Sequence, residues 1–159
     1  MERVAANDPK ALNEHGLDLY EKGDYDEAFQ YYKRAAELGD AEAHFNLAAL
    51  YSNGEGVEKD EEKERHHLEK AAILGQPEAR FNLACCEESN GKIERAVKHW
   101  IIAAKLGLDD SIQELKRCYK EGAVSKEDFA AALRTHHAAK VATKSPEREA
   151  AEKAESYDW

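Results

Sequence analysis

Proline and glycine are scarce: 3 and 9 in 159 residues. An all-β architecture of many short strands joined by Gly/Pro turns fits such a chain poorly. The 3 cysteines, two of them adjacent at Cys85 and Cys86, are too few and too odd for a disulfide framework. Reduced thiols in the cytoplasm are the expectation. Long apolar runs are missing as well. Trp100 to Ala104 is the longest notable stretch, far short of the ~20 residues that cross a bilayer, and the first residues, Met1-Glu2-Arg3-Val4-Ala5-Ala6, do not read as an apolar leader. Positive charge is in deficit: 23 Lys and Arg against 33 Asp and Glu give a formal net charge of −10. That field repels nucleic-acid phosphates and anionic lipid, so neither is expected as a partner.

What the chain does have is charge, at 35% of residues against ~25% in ordinary globular chains, and small residues in step. Tyr32, Ala35, Ala36, Leu38 and Gly39 recur as Leu68, Ala71, Ala72, Leu74 and Gly75, and again as Trp100, Ala103, Ala104, Leu106 and Gly107. A second pattern precedes each: Ala11/Gly16, Ala43/Ala48, Ala79/Ala84 and Ser111/Lys116. Units starting at Pro9, Ala41, Pro77 and Asp109 are spaced 32, 36 and 32 residues apart. A period in this range means stacked helical hairpins.

The spacing predicts helices over 9–22, 25–38, 41–53, 60–74, 77–89, 93–106, 109–121 and 126–142. Pro146 suggests a separate ninth helix over 146–156. Eight glycines fall at turns; only Gly16 sits inside a helix, where a small residue lets two helix axes approach. Asp24 with Glu27, and Ser125 with Asp128, have capping-box spacing.

The turn Gly23-Asp24-Tyr25-Asp26-Glu27-Ala28, with Tyr31, Tyr32 and Ala35, resembles a tetratricopeptide repeat. The second unit is similar to the Sel-one-like repeats through Leu47-Ala48-x-x-Tyr51, Gly54-x-Gly56-Val57-x-x-Asp60 and Lys70-Ala71-Ala72-x-x-Gly75. Glu64 and Arg65 depart from the pattern, standing where Ala28/Phe29 and Ala96/Val97 stand, and Glu87 replaces a Tyr51-like residue. The resemblance implies an all-α fold, a right-handed α-α superhelix or solenoid of four hairpins: a lead-in over 1–8, repeats over 9–122, and a helical cap with acidic tail over 123–159. It also implies a non-enzymatic adaptor without cofactor, a monomer or weak homo-oligomer holding a peptide or protein segment in a concave groove. A structural or engineered scaffold without peptide ligand is the alternative.

By that resemblance the groove is lined by Asn13, Leu17 and Tyr20; Phe45, Asn46, Ala49 and Ser52; Phe81, Asn82, Cys85 and Ser89; and Gln113 and Arg117. Asparagine amides can pair with an extended backbone while phenylalanines take its side chains. Packing of both phenylalanines between hairpins is the competing reading. A carboxylate clamp is disfavoured, because Asn13 and Leu17 stand where lysine and asparagine would be needed. His66-His67, His99 and His136-His137 lack the spacing of metal ligands and read as solvated surface. No sequence motif supplies Cys85 or Cys86 with the base and orienting group that a nucleophile needs, so both read as inert, with Cys118 buried. The acidic loop from Glu55 lacks a calcium-binding ligand pattern. Tyr157 and Trp159 are expected to dock on the last hairpin, with a sticky tag for a partner as the alternative.

Overall fold

The computed structural model describes residues 8–155, with side chains through residue 142. Eight helices and no strand occur among the described residues: α1 (Pro9–Glu21), α2 (Tyr25–Glu37), α3 (Ala41–Asn53), α4 (Glu61–Ile73), α5 (Pro77–Ser89), α6 (Ile93–Lys105), α7 (Asp109–Lys120) and α8 (Lys126–Glu155). The chain divides into two compact units between Leu83 and Ala84.

The punctuation behaves as its chemistry requires. Gly39, Gly75 and Gly107 follow α2, α4 and α6 in the left-handed region. The reversed turn lets Gly39 N–H reach Ala36 O at 2.9 Å and Asp40 N–H reach Ala35 O at 3.1 Å, closing the last turn of α2. The same pair of bonds closes α4 and α6. Asp8, Asp40 and Asp60 accept from backbone N–H groups at the starts of α1, α3 and α4. Ser125 Oγ accepts from Asp128 N–H at 3.1 Å.

Two expectations need correction. Asp24 makes no side-chain cap at α2, so the Asp24/Glu27 box does not form; the Asp24 carbonyl still accepts from Ala28 N–H at 2.9 Å. There is also no break before Pro146: α8 is one helix of 30 residues. Alanine-rich sequence on both sides of Ser145-Pro146 favours continuation strongly enough to carry a residue that usually ends a helix. Tyr157 and Trp159 lie outside the described residues.

In the first unit α1 packs on α2, α2 on α3 and α3 on α4. Its core joins Leu12, Leu19, Ala28, Tyr32, Ala35, Ala36, Ala43, Leu47 and Leu50. Gly16 is where α1 meets the Tyr32 ring: a Cβ there would lie 2.7 Å from Tyr32 Cε1. The four extra residues of the second repeat form a loop after α3 that folds back on the first hairpin. Val57 packs against the core. Gly56, with φ of +70°, sits so close to the Tyr25 carbonyl that a Cβ would reach 2.5 Å from it.

In the second unit α6, α7 and α8 pack on one another around the fully buried Trp100, Ala103, Ala104, Leu115 and Cys118, so Cys118 is the buried residue expected. Ser111 is also fully buried, and its hydroxyl has no hydrogen-bond partner among the described residues. Its counterparts Ala43 and Ala79 carry no such group. Ser111→Ala is expected to stabilise the chain by about 1 kcal/mol, because a buried hydroxyl without a partner is removed. An unfolding titration in urea checks this through an upward shift of the midpoint.

Candidate functional site

On the first unit the expected groove residues separate into two groups. Phe45, Ala49 and Asn82 line one depression of about 160 Å³ together with Ala48, Ser52, Asn53, Glu64 and Leu68. Helix spacing explains the set: Phe45, Ala48, Ala49 and Ser52 fall on one stripe of α3, Glu64 and Leu68 are four apart on α4, and Asn82 comes from α5. Phe45, Asn82 and Phe81 are each half-buried. The Asn82 amide makes no hydrogen bond among the described residues.

The second group is engaged internally. Asn13 is buried; its Oδ1 accepts from Asn46 Nδ2 at 3.0 Å, and its own Nδ2 donates to Glu42 Oε2 at 3.4 Å. This pairing ties α1 to α3. Tyr20 lies against Tyr25, ring centroids 5.1 Å apart, and a hydrogen bond to Glu55 of the long loop holds its phenol above the usual range. Leu17 is exposed.

Cys85 and Arg117 belong to the second unit. Burial pushes the Cys85 thiol up, away from the thiolate a nucleophile needs. Arg117 is held by three carboxylates: Glu88 at 2.6 Å, Glu114 at 2.9 Å and Glu121 at 3.1 Å. Its guanidinium also lies 5.7 Å from the Trp100 ring centre. These bonds raise its pKa further and leave its charge overcompensated. No group of three or more His, Cys, Asp or Glu among the described residues is placed to hold a metal ion.

Sequence reasoning missed the histidines' surroundings. His67 is not solvated surface: it is half-buried, stacked 5.7 Å from Tyr51, with its Nδ1 3.0 Å from His44 Nδ1. Burial and the neighbouring His44, His66 and Lys63 depress its pKa to about 4. His44 is lowered too, mainly by burial, with Lys70 and His66 adding and Asp40 and the Ala36 carbonyl opposing. His136 also has a partner, Asp109 Oδ1 at 2.8 Å. The signal available in the sequence was the register that puts His67 at the position of Tyr31, itself packed edge-on against His15. A second, wider depression of about 570 Å³ lies beside this cluster, between Phe29, Tyr51 and Val57 on one side and Lys59 and Lys63 on the other.

The repeat signature described as "Sel1 repeat" matches residues 3–40, 41–76 and 77–108. The chain belongs to the Sel1 repeat family. Among solved structures, this Sel1 repeat chain is similar to a Sel1 repeat protein from Oxalobacter formigenes: TM-score 0.72 at 29% identity, covering 85% of this chain and 58% of that one. It is also similar to c5321, a protective antigen of uropathogenic Escherichia coli strains with an SLR fold: TM-score 0.72 at 32% identity, covering 87% of this chain and 32% of that one. Two Helicobacter pylori HcpC proteins, which bear a beta-lactamase name, share 39% identity over 56 residues (strain 26695) and 38% over 60 residues (strain J99). The matched segments span only 19% and 21% of those proteins. Sel1 repeat proteins are generally protein-interaction adaptors without enzymatic activity. No described helix of this chain is long and apolar enough to cross a membrane.

Proposed function

We propose that this Sel1 repeat chain is a non-enzymatic adaptor. It holds an extended segment of another protein against α3 and the start of α5, with Phe45, Asn46, Ala49, Phe81 and Asn82 as the contact residues. The observation that carries this reading is the Asn82 amide, half-buried and without a hydrogen bond among the described residues, beside a wall of Phe45 and Ala49. A side-chain amide offers one acceptor and two donors, which matches the alternating groups of an extended backbone. The net charge of −10 argues for a protein partner over a nucleic acid or an anionic membrane.

A scaffold without ligand is the second reading, and one observation favours it: Asn13 and Asn46 already satisfy each other across two helices. Alanine substitutions separate the two readings. Asn82→Ala should leave the melting curve unchanged, yet weaken a peptide selected from a random display library by about tenfold, the loss of one or two hydrogen bonds. Asn46→Ala should weaken the same peptide and also cost about 1 kcal/mol of stability, because the buried Asn13 carbonyl loses its donor. Failure of the wild-type protein to enrich any peptide favours the scaffold.

A further inference from the structure

We infer that the depression beneath Phe45 is a specificity pocket for one basic side chain, a lysine or arginine of the bound segment; this rests on the peptide-binding reading above. Its volume, about 160 Å³, is well below the ~300–1,000 Å³ of pockets that hold cofactors or drug-sized ligands. It suits a single long side chain. Phe45, Ala49 and Leu68 make its apolar walls, Ser52 and Asn82 add neutral polar groups, and Glu64 supplies its one charge.

Glu64 is the residue that makes this pocket distinctive. Its counterparts in the neighbouring repeats, Ala28 and Ala96, are fully buried alanines that fill their hairpins. Here the repeat breaks its own rule. The Glu64 side chain is half-buried, and its carboxylate makes no ion pair or hydrogen bond among the described residues. Among the described residues no lysine or arginine lines the pocket. A partly desolvated carboxylate above apolar walls matches the two-part chemistry of lysine and arginine: the methylene stem lies along Phe45 and Leu68 while the charged head reaches the acid. The formal net charge of −10 draws a basic segment toward the chain before contact.

Random-peptide display on the wild-type protein and on Glu64→Gln and Glu64→Ala tests the assignment. Both variants should fold, since alanine is what the repeat carries at this position elsewhere and glutamine keeps the shape. Wild type is expected to enrich peptides with Lys or Arg at one fixed position. The best of these should lose about tenfold in affinity when that residue is replaced by norleucine, which keeps the stem and drops the charge. On Glu64→Gln the same replacement should change affinity less than twofold, and Glu64→Ala should enrich Leu or Met there instead. Peptides that need Asn82 but show no basic preference, or a preference that survives Glu64→Gln, overturn the pocket while leaving the adaptor reading intact. No enrichment at all overturns both.

Discussion

Gly56→Ala is expected to destabilise the first unit by about 3–4 kcal/mol, while Gly23→Ala, at a similar backbone angle, costs only about 1. Both glycines are left-handed, φ +70° and +85°, and any side chain there bears a strain of about 1–2 kcal/mol. The difference is what a Cβ would meet. At Gly23 a Cβ would meet nothing within 4 Å among the described residues beyond its chain neighbours, whereas at Gly56 the Tyr25 carbonyl oxygen and carbon would lie at 2.5 and 2.7 Å. Those are backbone atoms in the first turn of α2 and cannot swing aside. The loop must lift, taking Val57 off the core and Glu55 away from Tyr20. Urea unfolding followed by circular dichroism should therefore give midpoints in the order wild type, Gly23→Ala, Gly56→Ala. Equal midpoints for the two variants would mean that the loop does not clamp the first hairpin.

Acid is expected to remove about 2 kcal/mol of stability through the His44–His67 pair. The His67 pKa is depressed from 6.5 to about 4 in the folded chain, so the unfolded chain binds more protons throughout that interval. Its contribution is therefore full above pH 6.5 and is lost as the pH falls toward 4. The undiscounted shift corresponds to about 3 kcal/mol; partial solvent exposure reduces it. Both rings cannot be protonated while their Nδ1 atoms stay 3.0 Å apart, and Lys63, Lys70 and His66 add to the repulsion, with the Ala36 carbonyl and Asp40 opposing it at His44. The test is stability against pH for wild type and His67→Tyr, the residue type that Tyr31 sets at this register. The variant should lose the steep segment between pH 6.5 and 4, and parallel curves would refute the assignment.

The hairpins were legible because a helix can approach a neighbour only where its side chains are small, and that demand recurs in every unit. Ala35/Ala36, Ala71/Ala72 and Ala103/Ala104 are all buried, and the eight turn glycines are the ones with positive φ. Gly16 was readable as a close approach; that the Tyr32 ring enforces it follows only from the three-dimensional register. Contacts between distant positions carried no such periodic signal. His44 and His67 are 23 residues apart on different helices. Arg117 meets Glu88 across 29 residues, which uses up the charge that sequence reasoning left open to a ligand. Asp24 has the spacing of a cap without making one. Glu64 was visible as a departure from the repeat, but spacing alone could not say that a pocket opens beside it.

Amide hydrogen exchange of the chain, alone and saturated with its best display-selected peptide, addresses the adaptor claim most directly. The account predicts added protection concentrated in α3 from Phe45 to Ser52 and at Phe81–Asn82, with α2 unchanged. Protection confined to α2 and the outer turns of α4, or none anywhere at saturation, would contradict it.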